Sequence, residues 1–234
     1  YNVSLSSLNN LQAGDLINTT TINDQNSEPN LFIDDLAITE GDTGTMLISL
    51  SEISGKEISF SYITYDNTAT QQADYTAHTL TTLTIPAGSL TLGVELVTIE
   101  DLIYEGDHDF YVSLSAPTNV VISDDTGVAT INDDESLPNL YISDESVTEG
   151  DTLLFVVTLD VESASDVSFD WFTTDITAVQ PGDYTQVTST TETISAGSLA
   201  ITLAVITQDD TIDESATETM DVSLASPVNA GLGD

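Results

Sequence analysis

The chain has 234 residues, 40% of them hydrophobic, enough to bury one large core or two of ordinary size. Its 40 Asp and Glu residues face a single base, Lys56, for a formal net charge of −39, which repels nucleic acid and anionic membrane and cannot be cancelled by internal salt bridges. There are no cysteines, so disulfide staples and thiolate metal sites are excluded, and no apolar run reaches the roughly 18 residues of a membrane helix.

Residues 1–24 hold two short apolar runs, "VSLS" at Val3 and "TIND" at Thr21, and the chain starts inside a strand-like pattern. "PNLFIDDLAITEGDT" at Pro29 then opens a longer series. Within it, "ISFSYITY" alternates Ile58, Phe60 and Tyr62 with Ser59 and Ser61, the period of a half-buried antiparallel strand. Further Val, Ile, Thr and aromatic runs around Met46, Leu90, Phe110 and Val128 are separated by Gly, Pro, Asn and Asp clusters.

From Pro138 the same words return. "PNLYISDESVTEGDT" repeats the opening, "GDYT" at Gly182 repeats "ADYT" at Ala73, "SAGSL" at Ser195 repeats "PAGSL" at Pro86, and "TQDDTIDE" at Thr207 repeats "TIEDLIYE" at Thr98, each 109 residues on. "VSFDWF" alternates Val167, Phe169 and Trp171 as a core strand does, and runs at Leu153, Leu199 and Val222 complete the pattern. A period near 109 is a whole domain, not a solenoid turn. The expected organisation is the last two strands of a preceding unit in 1–24, a complete unit in 29–134, and a unit lacking its final strand in 138–234. About seven short strands per unit and no helical period predict an all-β fold of tandem immunoglobulin-like antiparallel sandwiches.

The acids are not spread evenly. Strand interiors are nearly free of them, while Glu40, Asp42, Asp74, Glu100, Asp101, Glu105, Asp133, Asp134 and Glu135 fall between strands, and the second unit repeats the placement with Glu149, Asp151, Asp183, Asp209, Asp210 and Glu214. Hard cations such as Ca²⁺ take about six to eight oxygens from carboxylates and carbonyls on adjustable loops, which one end of a sandwich can supply. The competing reading is a set of solvated turn formers on an acidic surface. Carboxylate pairs also serve glycosidases, but no aromatic-lined cleft or nucleophile motif is evident, so no enzymatic activity is expected. His78 and His108 lie in loop-like contexts and read as surface residues.

"TEGDT", "ADYT" or "GDYT", "PAGSL", "TIEDLIYEGDHDFYVSLS" and "GVATINDDE", in that order, resemble the Calx-β module of sodium–calcium exchangers, integrin β4 and large bacterial surface proteins. The resemblance covers essentially all of the chain. It implies Ca²⁺ ligation at one sandwich end by Glu40, Asp74, Glu100, Asp101, Glu105, Asp133 and Asp134, with Glu135 beside them, and by Glu149, Asp183, Asp209, Asp210 and Glu214 in the second unit. The acidic pair is Glu-Asp in the first unit, where the family usually has Asp-Asp, and Leu102 and Thr211 replace a frequent third acid.

The function expected is a structural repeat segment of a large secreted adhesin or cell-surface filament, stiffened by Ca²⁺ at unit ends and junctions. Its expected partners are neighbouring Calx-β repeats or copies of the same chain, the latter by head-to-tail strand complementation. A second expectation is an adhesive module that binds a cell-surface glycan or protein through Ca²⁺. Nucleic acid and direct membrane insertion are not expected.

Overall fold

The computed structural model describes residues 2–4, 17–23, 25–211 and 217–233. Among these residues every regular element is a strand. β1 (Asn2–Ser4) and β2 (Ile17–Thr19) pair with each other antiparallel. The first unit holds β3 (Asn30–Ile33), β4 (Leu36–Thr39), β5 (Thr43–Leu50), β6 (Ile58–Asp66), β7 (Thr81–Ile85), β8 (Thr91–Val97), β9 (Ile103–Tyr104), β10 (His108–Thr118), β11 (Val121–Ile122) and β12 (Thr126–Asn132). The second holds β13 (Asn139–Ile142), β14 (Thr152–Leu159), β15 (Glu162–Ser163), β16 (Val167–Asp175), β17 (Thr190–Ile194), β18 (Ala200–Ile206), β19 (Met220–Val228) and β20 (Gly231–Leu232).

Alternation in the sequence becomes two facing sheets. In the first unit the sheet β4-β12-β10-β6-β7 packs against β11-β3-β5-β8. Ile58, Phe60 and Tyr62 of β6 meet Met46 and Ile48 of β5 and Phe110 and Val112 of β10 in one buried core. The second unit has its own core around Phe155, Val157, Phe169, Trp171 and Leu203, between β18-β14-β13-β20 and β17-β16-β19. Trp171 is buried there, as its alternation predicted.

The units differ at one edge. In the first, β12 covers β10 and also hydrogen-bonds β4 in parallel. In the second, no described strand covers the corresponding edge of β19, and the counterpart of β4, residues 145–148, forms no ladder. A segment whose only ladder partner is one neighbouring strand does not become a strand without it. The cost appears in the core: Val112 and Leu114 are buried on β10, whereas Val222 and Leu224 on β19 are half-buried. The register of β1 on β2, Asn2 opposite Thr19, is that of β10 on β12, Tyr111 opposite Val128, with both partners advanced by 109.

The units also touch. β9 leaves the first unit and pairs in parallel with β15 of the second, Ile103 opposite Glu162 and Tyr104 opposite Ser163. Ala164 N–H extends the pairing by donating to the Tyr104 carbonyl at 3.0 Å.

Candidate metal centre

The acidic end of the first unit is assembled by backbone contacts between three loops. Residues 39–42 form a tight turn closed by Asp42 N–H on the Thr39 carbonyl (3.1 Å), and Glu40 N–H donates to the Asn132 carbonyl at the end of β12 (3.0 Å). Gly41 sits at φ +74°, where a side chain is disfavoured, and a Cβ there would lie 2.5 Å from Glu100 Oε2. The glycine of "TEGDT" therefore lets the acidic pair come down onto the turn. Buried Thr98, just before that pair, fastens the two: its hydroxyl donates to the Thr39 and Asp42 carbonyls at 3.0 and 2.9 Å. Asp101 N–H then donates to Glu40 Oε1 at 3.1 Å.

The "ADYT" loop is positioned from below. Tyr75 is buried, stacks on Phe110 with ring centroids 3.8 Å apart, and donates its hydroxyl to Asp66 Oδ1 at 2.7 Å. Burial, reinforced by that carboxylate, raises the Tyr75 pKa well above the ordinary phenol value, so it stays a neutral donor. The neighbouring Asp74 Oδ2 accepts from Thr70 N–H at 2.5 Å, and its carbonyl accepts from Ile99 N–H at 2.9 Å, which draws the loop to the acidic pair. Asp133 closes the set from β12: its Oδ2 accepts from the N–H groups of Glu105 and Gly106 at 2.9 and 2.5 Å.

Three groups of donors result, with the ligand atoms inside each group within 4.8 Å of one another: Glu40, Asp133 and Glu135; Glu100, Asp134 and Glu135; and Asp74, Glu105 and His108. All of the first unit's expected ligands join one of them except Asp101, whose Oδ1 instead accepts from Ile103 N–H at 2.7 Å. Asp101 remains an electrostatic neighbour of Glu40 and Glu105. Carboxylates crowded in this way resist ionising together. Burial, then the charge of Asp101, pushes the Glu40 pKa up to about 7. Burial, then a hydrogen bond with Asp133 and the charge of Asp134, pushes Glu135 up to about 7. Glu105 is raised as well, chiefly by burial and then by Asp101. Glu135 Oε2 is closed off from solvent and has no hydrogen-bond partner. A buried carboxylate oxygen in that state calls for a proton or a cation.

The Calx-beta domain family matches residues 24–135 and 132–232, nearly the whole chain in two copies. The chain belongs to the Calx-beta family. No curated protein sequence matches it. Among solved structures, CBD12 from CALX1.2 is 17% identical, with 85% of this chain and 80% of that chain covered and a TM-score of 0.44. The calcium binding domain CBD12 of CALX1.1 is 16% identical, covering 84% and 79%, with a TM-score of 0.43. The apo-form Calx CBD1 domain is 22% identical, covering 47% of this chain and 100% of that chain, with a TM-score of 0.43.

The second Calx-beta domain repeats the scaffold contact by contact. Asp210 N–H donates to Glu149 Oε1 at 3.1 Å, Val179 N–H to Asp183 Oδ2 at 2.5 Å, and the Tyr184 hydroxyl to Asp175 Oδ1 at 2.5 Å. Gly150, at φ +83°, lies under Asp209, whose Cβ is 2.8 Å from where a glycine Cβ would stand. Among the described residues, however, no three acids of this domain converge as in the first. Glu214 lies outside the described residues.

Two residues were missed by reading the sequence. His108 opens β10 with its Nδ1 3.6 Å from Glu105 Oε2 and 3.8 Å from Asp74 Oδ2, beyond hydrogen-bond length and inside the acidic group, which corrects its reading as a surface residue in a loop-like context. Glu218 occupies the same place in the second domain: Met220 faces Asp175 as Phe110 faces Asp66, so Glu218 corresponds to His108. Its pKa is raised by burial and then by the charge of Asp183. The repeat spacing lengthens from 109 to 110 between Glu214 and Glu218, and that inserted residue hides the match in the sequence.

Proposed function

We propose that this chain is a structural repeat segment of a large extracellular adhesin or cell-surface filament, in which Ca²⁺ binds the acidic end of a Calx-beta domain and stiffens its junction to the next. The observation that carries the reading is the position of β9. Its two residues lie between Asp101 and Glu105 in the acidic loop, and the same two residues pair with β15 of the following domain. Whatever fixes that loop fixes the junction.

The residues present fit a hard, oxygen-seeking cation. Glu40, Asp133 and Glu135, with Glu100 and Asp134 sharing Glu135, would hold it, and the unpartnered Glu135 Oε2 is the oxygen that most needs one. Bound Ca²⁺ would supply positive charge to a loop set that otherwise repels itself, in a chain with one base against 40 acids. The tandem of two Calx-beta domains supports the reading as a repeat scaffold. The test is thermal unfolding and small-angle scattering of the full chain in millimolar Ca²⁺ and in chelator. A higher melting temperature and a stiffer, more extended particle with Ca²⁺ are expected; identical curves and profiles would remove the ion from the function.

A further inference from the structure

The backbone enters the first domain at one end and leaves it at the other. β3 begins at Asn30 beside the end of β5, with Leu31 opposite Leu50, whereas β5 itself starts from the acidic turn at residues 39–42. Past β3 the chain crosses to the other sheet at Asp34 and Asp35 and runs as β4 toward that turn. β12 runs beside β4 in the same direction, and the chain leaves the ladder at Asp133. Tension on the residues flanking the domain therefore pulls β4 from its start and β12 from its end. Two parallel strands held in this way are drawn past each other, and every bond between them is strained at once.

The ladder between them is continuous. Leu36 faces Ala129, Ala37 Thr130, Ile38 Ile131 and Thr39 Asn132. It is lengthened at both ends: Val128 N–H donates to Asp35 Oδ1 at 2.8 Å, and Glu40 N–H to the Asn132 carbonyl at 3.0 Å. Ile38, Ala129 and Ile131 are buried, so the core backs the ladder and shields its bonds from competing water. β4 has β12 as its one ladder partner, while β12 lies between β4 and β10. Whichever of the two strands leaves the domain, this ladder must break. The same strands end in the expected ligands: Glu40 follows β4 directly, Asp133 follows β12 directly, Glu135 comes next but one, and one carboxylate oxygen of each lies within 4.8 Å of the others.

We propose a further function for these strands: the β4–β12 ladder is the clamp by which the first domain bears tension, and Glu40, Asp133 and Glu135, sharing a cation, fasten it where the load leaves the domain. The ladder stands on topology alone; the role of the three ligands rests on the reading above, in which Ca²⁺ binds this acidic end. Residues 133–135 are the first of the domain to feel a pull from the chain that follows. Their ligation together with Glu40 must therefore fail before β12 can slide along β4. A clamp loaded in shear slows unfolding, and the unfolding rate decides whether a domain survives a sustained pull. Pulled apart at one end instead, the same strands part pair by pair, each bond facing the load alone.

Optical-tweezers unfolding of the full chain tests this, because the sequence has no cysteine and handles can be fixed at chosen residues. Ser27→Cys with Ser136→Cys, both at exposed positions outside the ladder, loads it in shear. Asp42→Cys, also exposed, with Ser136→Cys holds both strands at their common end and peels them apart. In chelator the first domain should unfold at a severalfold higher force in shear than in peeling; equal forces would overturn the clamp. Millimolar Ca²⁺ should raise the shear force further, and Glu135→Gln should abolish that increment. The two readings fail separately. Ca²⁺ that raises the melting temperature but leaves the shear force unchanged would remove the ligands from the clamp while the ion reading stands. A strong shear force with no effect of Ca²⁺ on force or melting would leave the ladder and remove the cation.

Discussion

If Glu40 and Glu135 hold the cation, binding must expel their protons, and the number expelled is set by the structure. Both carboxyls titrate at about 7 in the cation-free fold, each pushed up by burial and then by neighbouring Asp residues. At pH 7 each therefore carries about half a proton, so Ca²⁺ binding releases about one proton from the pair. At about pH 8.5 both are ionised and release falls to nearly none; below about pH 6 it approaches two, and affinity drops by about 100-fold per pH unit. Calorimetric titration in two buffers of different protonation enthalpy counts these protons. An apparent enthalpy that is the same in both buffers at pH 7 would refute the assignment of these two residues as ligands. The same shifts set the stability of the cation-free protein. A carboxyl whose folded pKa is raised stabilises the fold fully below its unfolded value of 4.5, and that contribution is lost as pH rises through about 7. Melting temperature in chelator should thus fall between about pH 5 and pH 8, and Ca²⁺ should restore it most at the higher pH.

Gly41→Ala places a Cβ at φ +74° against Glu100 Oε2; the backbone term alone costs about 1–2 kcal/mol. Denaturant unfolding should show that loss, and titration a weaker Ca²⁺ response. Tyr184→Phe deletes the donor to Asp175 Oδ1 and should cost about 1–3 kcal/mol in the second domain. Trp171, the single tryptophan, reports that transition by fluorescence, and the matching Tyr75→Phe in the first domain should leave it nearly unmoved. Ala164→Pro removes the N–H that donates to Tyr104 and should loosen the junction, broadening the scattering-derived distance distribution even with Ca²⁺ while both cores keep their melting temperatures.

The sequence disclosed the frame because each strand is half-buried and the same words recur. Alternation at Ile58, Phe60 and Tyr62 and at Val167, Phe169 and Trp171 translated directly into buried faces. Glu40 and Glu100 were legible as partners once "TEGDT" and "TIEDLIYE" were read as loop words, but the reason for Gly41 was not, since it lies in the approach of Glu100 from a distant part of the chain. Tyr75 was visible only as the neighbour of Asp74; its work is to fill the core on Phe110 and hold Asp66. His108 read as a surface residue because one inserted residue sets it out of step with its counterpart Glu218. β9 escaped notice, being two residues long, with no periodicity, and paired only across a domain boundary.

That pairing gives the chain a direction. One end of the first Calx-beta domain gathers Glu40, Asp74, Glu100, Asp101, Glu105, Asp133, Asp134 and Glu135, and the other presents Lys56 beside a groove. Two acidic ends brought together would place like charges within the roughly 8 Å over which physiological salt fails to screen them. The charge thus disfavours contact between acidic ends, and a cation held by the acidic loop would lower that repulsion.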